Sequence, residues 1–352
     1  MKLYRALPCI VATILALPAV ASAGAGKTWV ACATATKATS CGFTGNGAIQ
    51  AAIDAAVDGD TVLVKAGTYV PEKTRDVTFR DEDNNVVIRA FIAIEHKSLT
   101  LRGEPGVVLD GRDGVPSAAM GIKGAQVNIS HIAIRDFKLA SKEDPVYDGH
   151  GTYIIDSLAT LEDVSMERLP KMGLSARGTS AVSATGMRII DGHVGVFVRE
   201  SAQLRLCNSI VRNNEAGVGA AANGSVRLYN SVVAGHSKSG LGFRGQSTVY
   251  VTNSIIVNNK PFGVSATDSA HAWVRYSVLF GNEAATNTPP EKDQLNLGAG
   301  IVERDPQLDA RSLPASAVAA MLVGDPEVHV YRGGAAGSRL GLQNIAGCAQ
   351  AL

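Results

Sequence analysis

Apolar and polar residues alternate over short runs along this chain, as in Leu99-Thr100-Leu101-Arg102, Gln203-Leu204-Arg205-Leu206 and Val226-Arg227-Leu228-Tyr229. A period of two puts every second side chain on one face, so each run predicts a strand with one buried side. One stretch follows a different rule. From Asn46 to Val57, the residues Ile49, Ala52, Ile53, Ala56 and Val57 fall at helical spacing, and Asp58-Gly59-Asp60 ends the predicted helix.

The strand runs are phased. Gly195, Gly217, Gly240 and Gly263 step by 22, 23 and 23 residues, and each leads a short apolar run. A second marker keeps the same step: Asn208-Ser209, Asn230-Ser231, Asn253-Ser254 and finally Tyr276-Ser277. Two markers with one period predict a solenoid. About 22 residues hold three short strands and their turns, and coils of that size stacked in parallel form a β-helix in which each coil pairs the strand edges of its neighbours. The asparagines are expected to hydrogen-bond along the stack and to take the left-handed backbone that its turns require. The helix of Asn46 to Val57 is expected to cover the N-terminal end, which would otherwise expose strand edges and core.

Earlier coils are less regular. Met120-Gly121-Ile122, Thr152-Tyr153 and Met172-Gly173-Leu174 take the glycine-led position, and the step of 31 from Gly121 to Thr152 leaves about nine residues inserted (31 − 22), within Ser141 to His150. A second irregular stretch, Pro71 to Asn85, carries Arg75, Arg80, Asp81, Glu82 and Asp83. Insertions on one face of a solenoid are expected to wall a binding groove. Past Asn282 the repeat stops: Ala284 to Asn296 reads as loop, and a helix at Ala315 to Leu322 is expected to cover the C-terminal end. The expected organisation is a leader (1–23), an N-terminal segment (24–45), one β-helix (46–282) and an irregular C-terminal cap (283–352).

Composition changes the picture in three places. A net charge of +1 without any Lys/Arg run excludes a general nucleic-acid binder. Met1 to Ala23 has a basic start, an apolar stretch from Leu7 to Val20 and Ala21-Ser22-Ala23 as a cleavage site, the pattern of a secretory leader. The expected product is a secreted or periplasmic monomer with no membrane attachment. In such a compartment Cys32 and Cys41 are expected to close a small disulfide loop, while Cys207 reads as a small core residue that Cys348 reaches only if the tail folds back. No cysteine or histidine spacing suits zinc, and no cofactor is expected.

The helix, the phrase Asp60-Thr61-Val62-Leu63-Val64-Lys65-Ala66-Gly67-Thr68-Tyr69, the run Leu99 to Gly103 and the repeats together resemble right-handed parallel β-helix proteins of the pectate-lyase-like superfamily. The resemblance spans residues 46–282 and implies an all-β fold, with the groove on the strand preceding the Asn-bearing one. The superfamily contains pectate and alginate lyases, polygalacturonases, uronate epimerases, tailspikes and proteins without activity, so substrate does not follow from fold. Arg168-Leu169-Pro170-Lys171 begins, without completing, the R-x-P-x-x-R phrase of common pectate lyases. Asp144-Pro145-Val146-Tyr147 lacks the His of the epimerase phrase D-P-H-D. No trio of close aspartates as in polygalacturonases is found, which favours a lyase or epimerase over a hydrolase.

Extending the alternation from inward Val196 and Val198 places Phe197 outward, and puts Asp156, Arg177, Arg199, Ala221, Arg244 and Thr267 in one outward column. The residues before the glycine-led strands, His150, Lys171, His193, Glu215 and Lys238, form a second column, expected to face the first across a turn. Arg forks suit uronate carboxylates, and a Lys, Arg or His can take the proton beside one. Lys171, His193, Arg177 and His150 are therefore the expected catalytic residues, with Asp156, Arg199, Arg244 and Phe197 binding substrate. Calcium is a lesser option, through Asp144, Asp148 or Asp156. Plainer readings are a solvated arginine stack, a loop histidine and a surface ion pair. The expected ligand is an acidic polysaccharide, handled by β-elimination or epimerisation. The alternatives are a non-catalytic glycan binder and a structural or adhesive solenoid.

Overall fold

The computed structural model describes residues 26–34, 40–81, 84–140, 147–287 and 294–309. The expected leader, the Ala315 to Leu322 helix, Asp144 and Cys348 lie outside them. Three parallel sheets run the length of the molecule, and successive coils supply one strand to each. In the coil that starts at Val194, the strand Val194–Val198 belongs to the glycine-led sheet, Gln203–Cys207 to a long sheet and Ile210–Arg212 to a sheet of short strands. The chain is an all-β right-handed parallel β-helix with one short helix near its N-terminus.

The inward positions read from the alternation line one continuous core: Val196, Val198, Leu204, Leu206 and Val211, with their counterparts in the neighbouring coils. The turn after the long sheet uses residues with positive φ, at Asn208, Asn230, Asn253 and Tyr276. Their side chains do not carry the stack, contrary to expectation: both amide atoms of Asn253 lack a partner. The next residue does. Ser231, Ser254 and Ser277 each accept a bond from the serine N–H of the preceding coil, at 3.1, 3.3 and 3.1 Å. The serines are fully buried and their Oγ atoms lie within reach of the preceding coil's backbone, while Asn208, Asn230 and Asn253, also buried, make no such bond.

The glycines are required by close approach. A Cβ on Gly217 would sit 2.2 Å from the Gly240 carbonyl oxygen and 2.8 Å from the His236 ring, and one on Gly240 would sit 2.6 Å from the Asn259 amide. Asn259 and His236 belong to a second ladder, Asn214, His236, Asn259 and the half-buried Asn282, at the corner between the short and glycine-led sheets.

The helix is Ala48–Ala55, with Ala48, Ile49, Ala52 and Ile53 buried. Gln50 pairs both ways with the backbone of Ala93, on the end strand of the glycine-led sheet, and Lys97 caps the carbonyls of Ile53 and Ala56 at 2.7 and 2.8 Å. The sheets extend beyond the expected limits of 46 and 282: Thr28–Cys32 and Phe43–Thr44 join the long sheet, and Ala284–Thr286 and Leu295–Leu297 continue the stack. A disulfide joins Cys32 to Cys41. Cys207, read as a small core residue that Cys348 reaches only if the tail folds back, is fully buried and disulfide-bonded.

Candidate functional site

The Pro71 to Asn85 stretch is not a wall beside the groove but a cover over it. Arg75–Asp81 and the first half of Asn84–Glu95 form an antiparallel hairpin, and the second half of Asn84–Glu95 is the end strand of the glycine-led sheet. The hairpin folds back on the outward face of that sheet and crosses its strands in turn. Val77 lies over Gly121, Phe79 packs on Tyr153 with ring centroids 5.5 Å apart, and Asp81 reaches Arg177. Tyr147, in the described part of the inserted loop, donates its N–H to the Val87 carbonyl at 2.8 Å and packs edge-on against Phe79 at 5.7 Å. Arg89 grips the buried Asp148 beside it at 2.6 and 3.1 Å.

Arg177 is consequently 2% exposed. Its guanidinium donates to both oxygens of Asp81 at 2.9 and 2.5 Å, to Glu200 and to the Tyr153 hydroxyl at 3.3 Å, and it stacks on Phe79 at 4.9 Å. Burial opposes its charge, but these bonds outweigh burial and hold its pKa above the ordinary value. Arg177 in turn lowers the pKa of Asp81 by hydrogen bonding. Burial pushes Tyr153 up to about 12. Arg199, one coil on and partly exposed, meets the same Asp81 at 3.5 Å.

His150 is not an accessible base. It is 2% exposed, its ring is stacked on Tyr147 at 5.5 Å and edge-on to Tyr153 at 5.1 Å, and its Nδ1 has no partner. Burial, with the charge of Lys171, lowers its pKa to about 3, so the ring is neutral. Asp156 is also displaced from its expected column. The register pairs Ile155 with Arg177, and Asp156 sits in the following turn at φ 47°, accepting from Thr179 N–H and Oγ1 at 2.9 and 3.1 Å. Gly151, not Thr152, is therefore the counterpart of Gly173, a slip of one residue. Arg168 pairs with Asp136 and Glu167, in the turn after the short sheet rather than in the groove.

The two expected columns do not face each other. Lys171 and Arg177, or His193 and Arg199, are six residues apart on an extended strand, a separation of about 20 Å. They are opposite rims of the glycine-led sheet. On the first rim, Lys171, His193, Glu215 and Lys238 occupy successive coils. His193 Nδ1 pairs with one oxygen of Glu215, and Lys238 pairs with the other. Those contacts, the Lys238 bond foremost, lower the pKa of Glu215 and keep it ionised. On the second rim stand Arg199 and the exposed Arg244. Between the rims, from Val194–Val198 onward, lies an open trough floored by Phe197, Gly219, Gly242 and Ser265. Phe197 is half-buried and leans over Gly219, where a Cβ would come within 2.9 Å of its ring.

The right handed beta helix region family matches residues 121–301, more than half of the chain. This chain belongs to that family. Among solved structures, this β-helix protein is similar to a periplasmic alginate epimerase at 11% identity and TM-score 0.42, over 64% of this chain and 57% of that one. It thus spans little more than half the length of that epimerase. It is similar to an alginate lyase from Paenibacillus sp. str. FPU-7 at 13% identity and TM-score 0.39, over 77% and 98% of the two chains. A pectate lyase variant from Xanthomonas campestris aligns at 12% identity and TM-score 0.45, over 79% and 90%. A comparison with curated proteins gave no match. Among the described residues, no group of three or more His, Cys, Asp or Glu side chains is placed to hold a metal ion, and no helix is long and apolar enough to cross a membrane.

Sequence reasoning missed Tyr153 and Glu200 as partners of Arg177, and it named Asp81 only as one charge in an insertion. No local pattern marks a contact 96 residues away in sequence. Glu215 was placed beside His193 by the repeat, which is how the pairing could have been found.

Proposed function

We propose that this is an exported β-helix protein that acts on an acidic, uronate-containing polysaccharide lying in the trough of the glycine-led sheet, by β-elimination or C5 epimerisation. The observation that carries this reading is the row Lys171, His193, Glu215 and Lys238, in neighbouring coils about 4.8 Å apart. Glu215, held by Lys238, fixes the ring of His193 and directs Nε2 away from it, the arrangement of an oriented general base. Lys171, one coil upstream, supplies the positive charge that a uronate carboxylate needs as its C5 proton leaves. In elimination the proton passes to His193, the electron pair forms the C4–C5 double bond, the C4–oxygen bond breaks and the leaving oxygen takes a proton. In epimerisation a proton returns to C5 from the opposite face. Arg199 and Arg244, on the far rim about 20 Å away, suit carboxylates of sugars other than the one beside His193. Disulfide bonding at Cys32, Cys41 and Cys207 fits export to an oxidising compartment.

Incubation of the protein with a panel of uronate polymers is expected to yield either unsaturated ends, read by absorbance, or inverted C5 centres, read by proton NMR. Absence of both on every polymer contradicts the catalytic reading. A second reading, a non-catalytic glycan binder, is favoured by the burial of Arg177 and His150 beneath the hairpin and loop. It is distinguished by saturable binding of a polymer that stays chemically unchanged.

A further inference from the structure

The outward face of the glycine-led sheet changes character along the molecule. In Ala118–Lys123, Thr152–Ile155 and Met172–Arg177, the positions that should look into a groove are covered, and every residue but Lys123 and Met172 is buried. In Val194–Val198, Ala216–Ala220, Ser239–Phe243 and Phe262–Ala266, the same outward positions are accessible. The boundary falls at the tip of the hairpin. There Asp81 spans Arg177 on the last covered coil and Arg199 on the first open one.

The cover cannot be a loosely laid flap. Val77, Phe79, Val86 and Ile88 form one apolar cluster with Tyr153 and Ile155 of the sheet beneath. The ion pairs at its tip and the Arg89–Asp148 pair at its side fix it further. Its course is also informative: Val77, Phe79 and Asp81 lie over three successive parts of the groove, two residues for each coil, so the hairpin occupies the line that a bound polymer would follow. The Asp81 carboxylate sits in the arginine fork where an acidic sugar would otherwise place its own.

We infer that the trough is closed at its upstream end by the chain itself and takes the end of an acidic polysaccharide rather than its interior. A terminal sugar stops against Asp81 and the hairpin, over Phe197 and beside Arg199. The remaining chain runs downstream over Gly219, Gly242 and Ser265, where among the described residues the face stays accessible as far as Ala285. The inference rests on the proposed acidic polysaccharide, and it deepens that reading. His193 stands on the opposite rim of the same coil, about 20 Å from Arg199, so the end stop is a binding subsite distinct from the place of proton transfer.

The test is a binding stoichiometry on the intact protein and needs no turnover. A uronate polymer that the protein binds is partly cleaved with acid to a set of shorter average lengths, and calorimetric titrations are compared at equal mass of sugar. End recognition is expected to raise the number of binding sites per gram in proportion to the number of chain ends, so a tenfold shorter sample shows tenfold more. Sites per gram that stay constant as the chains shorten overturn the inference while leaving the proposed substrate intact. Sites that follow chain ends, without any product, uphold the inference and remove the catalytic reading. No binding to any uronate polymer overturns both.

Discussion

His236 shows how one residue can be exchanged within a buried ladder without breaking it. Asn214, Asn259 and Asn282 each use the amide oxygen to accept from a backbone N–H one coil back, and the amide nitrogen to donate to the carbonyl three residues before that N–H. His236 does the same with its ring: Nδ1 accepts from Asn214 N–H and Nε2 donates to the Val211 carbonyl, both at 3.2 Å. This is the neutral tautomer, and burial lowers the pKa to about 4. Because the folded-state pKa lies below the unfolded value of about 6.5, the unfolded chain takes up a proton first and stability is lost as pH falls from about 6.5 to about 4. At pH 5 the contribution of His236 is a loss of about 2 kcal/mol. His236→Asn is expected to fold and to remove that part of the difference between urea unfolding at pH 7 and pH 5. The dependence due to His150 remains. An unchanged pH dependence contradicts the assignment. The left-handed turn positions were legible from Asn208, Asn230 and Asn253, since few residues tolerate that backbone. Which side chain bonds along the stack was not, because adjacent Asn and Ser are equally capable acceptors and only the three-dimensional placement of each separates them.

At the scale of elements, the hairpin decides what the groove can do. Arg177 faces outward as the alternation required, yet it is sealed, and removing one member of a buried charge cluster typically costs about 3–5 kcal/mol. Arg177→Met is therefore expected to lower the urea midpoint strongly, by leaving Asp81 and Glu200 without their shared cation. A variant as stable as the wild type contradicts the burial. Acid acts on the same cluster: with its pKa depressed by Arg177, Asp81 stabilises the fold fully above the ordinary carboxylate range of about 4 and loses that contribution as pH falls further. The strands themselves were readable because alternation is a local property. The cover was not. Asp81 and Arg177 are joined by a fold-back that no period records, and the slip from Gly151 to Thr152 arose because His150 to Thr152 lies next to an insertion, where the repeat count loses its phase.

For the whole molecule, the regular repeat carries the open trough and its rims, and the hairpin just upstream sets where that trough begins, since over residues 118–177 the same face is covered. Apart from Asp156 and His150, which the one-residue slip moves out, the two charged columns read from the sequence are the two rims of one sheet, and the first brings His193, Glu215 and Lys238 into contact. The central claim is that His193, set by Glu215 and flanked by Lys171, takes the proton beside a uronate carboxylate. The most direct test is the turnover of His193→Ala on the polymer that the wild-type protein processes, with the urea midpoint as a control for folding. The half-exposed side chain makes a stable variant the expectation, with turnover reduced by about 10²–10⁴-fold. A folded His193→Ala protein that keeps wild-type turnover would contradict the account.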